Sequence, residues 1–211
     1  MIEVSGLSAA QPLLILVVGT PGSGKSFFGR QFAENYKFFY IDSGRYESEL
    51  EGLHSSNQEI SAVARKLVGA TYEQALKCFK HIVLEGQFNT LKERDEVLSK
   101  ARKAGFGTLI VWVQTDEDTA KSRALNRDRR RADDKYSLEI NQDEFDDMVK
   151  GFQNPNPKKE VFVVVSGKHD FKSQGVVVLK KIASMYVKGI TPPKPGPSNN
   201  PAATMVRRIL R

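Results

Sequence analysis

Residues 13–28 read LLILVVGTPGSGKSFF, and the organisation of the chain follows from that stretch. An apolar run, Leu13 to Val18, stops at Gly19. The residues that follow spell Gly19-Thr20-Pro21-Gly22-Ser23-Gly24-Lys25-Ser26, the G-x-x-x-x-G-K-S pattern of a phosphate-binding loop. Glycines let successive backbone N–H groups turn toward one point and approach a polyphosphate closely. Lys25 can reach the β- and γ-phosphates, and the Ser26 hydroxyl can ligate Mg²⁺. A helix beginning near Lys25, with Phe27, Phe28 and Phe32 on it, adds its positive end to the anion site. The stretch predicts a strand, a nucleotide-binding turn and a helix, and hence a chain that binds a nucleoside triphosphate.

Outward from that stretch, apolar runs and helical patterns alternate. Strands are expected at Phe38–Ile41, His81–Leu84, Thr108–Val113 and Val161–Val165, after the first at Leu13–Val18. Helices are expected over about Lys25–Tyr36, in the segment after Arg45 to about Leu53, from Asp116, and over about Ser173–Lys188. Three hydroxyl-x-x-Glu/Gln capping boxes mark further helix starts: Ser56/Glu59, Thr71/Gln74 and Thr90/Glu93. After the first, Ile60, Val63, Ala64, Leu67 and Val68 keep helical spacing on one face. Phe145, Met148, Val149 and Phe152 form another inward face, ended by Asn154-Pro155-Asn156-Pro157. Such alternation implies a parallel five-stranded sheet with helices on both faces. Ligands bind such sheets beyond the carboxyl ends of the strands. Ser26, Asp42, Glu85 and Ser166-Gly167 all follow strands in that sense.

Composition excludes several classes. The 211 residues are 40% apolar and 27% charged, as in ordinary globular proteins, and no apolar run approaches the ~20 residues of a membrane span. One cysteine, Cys78, permits no disulfide framework and suits a reducing cytoplasm; its neighbours Leu76 and Phe79 predict a buried, inert thiol. His54, His81 and His169 show no ligand spacing and read as structural or exposed. Of the net charge of +7, Lys194, Arg207, Arg208 and Arg211 supply four, so the excess elsewhere is weak grounds for a polyanionic partner. A single domain is expected over 1–190, followed at 191–211 by a Pro-rich flexible tail with a short basic end, either a docking peptide or a frayed terminus.

The loop Gly19–Ser26, the Asp42-x-x-Arg45 after the second strand and Arg123-x-x-x-Arg127 in a helical lid (about 116–153) together resemble the P-loop kinases. The subgroup that these motifs resemble is that of the 5′-hydroxyl polynucleotide kinases and their AAA_33-type relatives. The resemblance implies a three-layer α/β/α P-loop NTPase with a mostly parallel five-stranded sheet, using ATP and Mg²⁺. It gives Asp42 the role of base for the acceptor hydroxyl, and Arg45 that of holding an acceptor phosphate. It sets the Val165-Ser166-Gly167-Lys168 turn beside the adenine. Two positions depart from the family pattern: Ser43, often acidic there, and Glu85, one methylene longer than the usual Asp.

Each candidate has a plainer reading beside the functional one. Asp42 can take a proton from the attacking hydroxyl or simply cap a helix. Arg45 can face the acceptor or solvent. Glu85 can hold a water on Mg²⁺ or end its strand as an exposed charge. Arg123, Arg127 and Arg130, spaced for one helical face, can supply an arginine finger to the β/γ-phosphates or form a basic face balanced by Asp128, Asp133 and Asp134. The resulting expectation is an ATP-dependent kinase acting on a hydroxyl acceptor, a polynucleotide 5′-hydroxyl first and a small metabolite, nucleoside, sugar or antibiotic hydroxyl as alternative. A GTPase would want an Asn-Lys-x-Asp motif, which the sequence lacks; a nucleotide-binding interaction protein would bind ATP and transfer nothing.

Overall fold

β1 (Leu13–Val18) is buried along its whole length and forms the centre of the sheet. In the computed structural model, which describes residues 11–51, 57–130, 135–136 and 139–187, the elements follow in the order that the alternation implies. After β1 come α1 (Lys25–Tyr36), β2 (Phe39–Asp42), α2 (Ser43–Leu50), α3 (Asn57–Cys78), β3 (Ile82–Glu85) and α4 (Leu91–Lys103). Then come β4 (Gly107–Gln114), α5 (Glu117–Leu125), α6 (Gln142–Gly151), β5 (Phe162–Ser166) and α7 (Phe171–Val187). Among the described residues, five strands pair in the order β2-β3-β1-β4-β5, every pair parallel.

A strand buried on both faces reads as an unbroken apolar run, and β1 divides that run by its period of two. Leu13, Ile15 and Val17 pack with Phe28 and Phe32 of α1 and with Val178 and Ile182 of α7. Leu14, Leu16 and Val18 point the other way, onto Val68 and Tyr72 of α3 and Leu98 of α4. The connection after β1 therefore leaves over one face and that after β3 over the other. The crevice outside the carboxyl ends of β1 and β3 is thus the topological switch point, where open α/β sheets take their ligands.

Several local expectations change. The Thr71 box starts no helix: α3 runs through it from Asn57 to Cys78. There Thr71 has an uninterrupted helix on both sides, and its hydroxyl instead shares a 2.8 Å hydrogen bond with the Tyr46 hydroxyl. The Thr90 box is realised, with Thr90 Oγ1 accepting from Glu93 N and Glu93 Oε2 accepting from Thr90 N. Ser56 and His54 lie outside the described residues, as do Arg131, Asp133, Asp134 and the tail. On α3, Ile60, Ala64 and Val68 are buried while Val63 and Leu67 face out. Cys78 is exposed rather than buried, because it is the last residue of α3, where the chain turns at Phe79 through a left-handed φ of 55°. α5 stops at Asn126, so Arg123, Arg127 and Arg130 share no helical face.

Candidate active site

The loop from Gly19 to Gly24 wraps over the amino end of α1, which begins at Lys25 as the sequence requires. Its shape depends on what touches it from outside. Gly22 has a φ of 74°, and a Cβ there would fall on the Ala120 carbonyl oxygen of α5. Gly167, after β5, lies so close that a Cβ would fall on the Ser23 carbonyl oxygen. Only glycine permits this contact, which places the β5–α7 turn directly against the loop. Thr115 clamps the same point, donating its hydroxyl to the Ser23 carbonyl at 3.1 Å.

Two strand ends then converge on the loop. Glu85 ends β3, is 5% exposed, and accepts two short hydrogen bonds: from Ser26 Oγ to its Oε1 and from the Tyr40 hydroxyl to its Oε2, each 2.6 Å. Asp42, at the end of β2, is the register partner of Glu85. Its Oδ1 accepts from Gly44 N at 2.9 Å, so it caps α2 and borders the cleft at once. Burial, and then the Glu85 charge beside it, raise the Asp42 carboxyl to about 7 against the pull of the Gly44 and Arg45 N–H groups. Lys25 donates from Nζ to the Thr20 carbonyl at 2.9 Å. Its pKa falls to about 8, chiefly by burial and further by the Arg127 charge, with Glu85 and Asp42 opposing.

These groups line one cleft of about 140 Å³, together with Gly19, Pro21 and Ser26. Of the lid arginines, Arg127 borders it. Arg123 instead donates to the Gly167 carbonyl at 3.1 Å, joining the lid base to the turn after β5, and Lys168 pairs with Asp116 beside it. Phe27, half-buried, follows Ser26 on α1. Arg45 lies apart from the cleft lining: 60% exposed, it pairs with Glu49 at 2.9 Å and sits 5.7 Å over the Tyr136 ring. Arg130 is exposed and bound to Asp128. The lid also meets α2 where the Tyr136 carbonyl oxygen abuts Gly44, and meets the residue capping α2 through a two-pronged Arg129–Glu51 pair with both contacts at 2.6 Å.

Residues that the motifs did not flag also belong here. Tyr40 precedes Asp42 by two on β2, and that spacing alone puts both on one side of the sheet. Arg30 follows Ser26 by one helical turn, borders the cleft and acts electrostatically on Asp42. Glu47, 6% exposed on α2, is hydrogen-bonded to Ser61; burial raises its carboxyl above the usual range. Ser43, Glu47, Gly86 and Gln87 border both the cleft and a second chamber of about 260 Å³ between α2, α3 and the start of α4.

The donor set is hard oxygen: one hydroxyl and two carboxylates, which suits Mg²⁺. Among the described residues no three His, Cys, Asp or Glu side chains form a metal cage, so such an ion would draw most of its ligands from nucleotide and water. No helix among the described residues is long and apolar enough to cross a membrane.

A family model described as an AAA domain, AAA_33, matches residues 14–155, more than half of the chain. No curated protein matches the sequence. Among solved structures, a Chloroflexus aurantiacus protein provisionally described as a kinase superposes with a TM-score of 0.65 at 17% identity, over 82% of this chain and 97% of its own. Kti12 from Chaetomium thermophilum, solved with ADP-AlF3, gives 0.59 at 18% identity over 81% and 97%. A gluconokinase from Sinorhizobium meliloti gives 0.57 at 16% over 84% and 98%. At these identities the likeness is one of fold, and the fold is that of the P-loop kinases.

Proposed function

The chain belongs to the AAA_33 family of AAA domains, and on that footing we propose that it is an ATP-dependent phosphotransferase moving the γ-phosphoryl group to an alcohol. The observation that carries this reading is the convergence of Ser26, Glu85 and Asp42 on one cleft beside Lys25. The loop N–H groups and Lys25 hold the triphosphate. Asp42 receives the acceptor hydroxyl: the hydroxyl oxygen bonds to the γ-phosphorus, the bond to the bridging oxygen breaks, ADP leaves with that electron pair, and the proton passes to the Asp42 carboxylate. A carboxyl near 7 suits a base working at neutral pH, while its cap bond to Gly44 fixes its direction. Ser26 and Glu85 are the groups that would hold Mg²⁺, which supplies charge neutralisation on the phosphates when bound. Arg127, bordering the cleft, is the lid arginine best disposed toward the phosphates, and Arg123 steadies the Gly167-Lys168 turn for the nucleotide base.

Between the two acceptor classes, the geometry favours a small alcohol. Arg45, the residue expected to hold a polynucleotide phosphate, is paired with Glu49 away from the cleft lining. The 260 Å³ chamber shares Ser43, Glu47, Gly86 and Gln87 with the cleft. A polynucleotide 5′-hydroxyl is the second reading, favoured by the exposure of Arg45 at the amino end of α2. The test is transfer of labelled γ-phosphate to small alcohols and to 5′-hydroxyl oligonucleotides. We expect Lys25→Met to lose nucleotide binding. We expect Asp42→Ala to keep it while losing transfer by about 10²–10⁴-fold; full transfer by Asp42→Ala refutes the assignment.

A further inference from the structure

The chamber beside the cleft has a composition of its own. Its floor is apolar and aromatic, formed by Val68 and Tyr72 of α3, Leu84 of β3 and Phe88. Two polar groups reach into it where it joins the cleft, the buried Glu47 carboxylate and Gln87. Arg65 and Lys100 stand at its border, but Glu93 and Glu96 stand there too, and Lys100 is paired with Glu73 at 3.1 Å. Charge at the border is balanced, so nothing there draws in a polyanion, whose binding needs a basic track.

We propose that this chamber binds the phosphate acceptor, and that the acceptor is an unphosphorylated nucleoside. The proposal rests on the phosphotransferase reading above and names its substrate class. The Glu47 carboxylate, 6% exposed, is bonded to Ser61 and feels the Arg65 charge, and with two oxygens it can still accept from a further donor. The N–H edge of a base supplies such donors, and Gln87 offers both a donor and an acceptor beside it. The strip of Tyr72, Phe88, Val68 and Leu84 takes the flat face of a ring. Asp42 caps the same helix on which Glu47 lies five residues later, about 7 Å of helical rise. A molecule with its hydroxyl at Asp42 and its donor edge at Glu47 must cover that span, as a sugar carrying a base does. The chamber, about 260 Å³ and so a little below the ~300–1,000 Å³ usual for small-ligand sites, admits at most one such molecule and no strand. In the transfer, the sugar hydroxyl forms the new P–O bond, ADP departs with the bridging-oxygen electron pair, and Asp42 takes the proton.

Two variants separate this from a generic kinase. Glu47→Gln keeps size and removes the buried charge. At Gly69, on the α3 wall, an added Cβ meets nothing within 4 Å, so Gly69→Phe extends into open space without a clash at its base. The full chain loaded with AMPPNP and Mg²⁺ is titrated calorimetrically with adenosine, guanosine, cytidine and thymidine, with glucose, and with a 5′-hydroxyl oligothymidylate. We expect at least one nucleoside to bind, glucose and the oligonucleotide to bind at least tenfold more weakly, and both variants to lose at least tenfold in nucleoside affinity while holding AMPPNP as the parent does. Binding of no nucleoside, equal or tighter binding of glucose or oligonucleotide, or unchanged affinity in both variants overturns the proposal. Labelled-ATP transfer on the same panel tells the two failures apart. A nucleoside that binds through Glu47 and is never phosphorylated removes the kinase reading and leaves the chamber; transfer to another alcohol with no nucleoside binding does the reverse.

Discussion

Asp42→Asn isolates the charge at the centre of the site. Asparagine keeps the shape and, through its Oδ1, the N-cap bond to Gly44 N, a substitution that caps a helix about as well as aspartate. What it removes is a carboxyl whose pKa in the folded chain is about 7, against 3.8 ordinarily. An acid raised on folding takes up a proton as the chain folds, so its contribution to stability is fully present below 3.8 and is lost as the pH rises through about 7. Three pK units at 1.36 kcal/mol each cap the cost above pH 7 at about 4 kcal/mol. Water entering the cleft screens part of that, so we expect a gain of about 2 kcal/mol from the substitution. For a chain of this length that is a rise in Tm of roughly 4–8 °C. The assay is urea unfolding of nucleotide-free protein in EDTA at pH 4, 6 and 8, with labelled transfer measured in parallel. The gain should be near zero at pH 4, grow through pH 6 and level off above pH 7, while transfer is lost. A gain that does not change with pH, or a variant less stable than the parent at pH 8, refutes the reasoning.

Tyr40→Phe deletes one of the two donors that orient Glu85; we expect roughly tenfold lower kcat and a higher Mg²⁺ requirement at near-normal nucleotide binding, and an unchanged Mg²⁺ titration of activity would deny Tyr40 that positioning role. Arg94 is fully buried and forked onto Glu160 at 2.7 and 3.2 Å, so Arg94→Met should cost about 3–5 kcal/mol in urea unfolding by stranding a buried carboxylate. Adding Glu160→Leu should recover part of that loss; a single variant costing under about 1 kcal/mol would contradict the account. Glu51→Gln weakens the exposed tie to Arg129 and should change global stability by less than about 1 kcal/mol, yet speed amide exchange across 117–130, and unaltered exchange there means that the pair does not hold the lid.

The parts that local chemistry dictates alone were readable from the chain. β1 and α1 begin and end where the apolar run and the loop motif end, because a buried strand and a phosphate loop each constrain nearly every residue in them. β2 to β5 lie within one residue of their apolar runs for the same reason. The Thr71 box misled because it is written identically at a helix start and in mid-helix; here α3 runs through it and the hydroxyl pairs with Tyr46 instead. The arginine spacing from 123 to 130 suggested a face, but Asn126 ends α5 and sends Arg123 to Gly167 and Arg127 to the cleft. Arg94 and Glu160 lie 66 positions apart, and nothing local to either announces the other. The chamber beside the cleft has no motif at all, since it arises from how α3 packs beside α2 and β3.

The site's electrostatics explain why the loop and the acceptor side need each other. Without nucleotide, two carboxylates adjoin at Asp42 and Glu85, and a buried lysine is held near 8. Each group is poorly placed for its own charge, and each is improved by what the other side brings. Phosphate raises the affinity of Lys25 for its proton, and cationic charge beside Glu85 lowers that of Asp42. On the proposed reading, nucleotide binding would thereby turn Asp42 toward its ionised form, the form that can accept a hydroxyl proton. A chain evolved only to hold nucleotide would gain stability by relaxing Asp42 to asparagine, with the cap intact. That the carboxylate stands beside Glu85 in a cleft sharing Ser43, Glu47, Gly86 and Gln87 with the neighbouring chamber is why we propose a site for transfer rather than for storage.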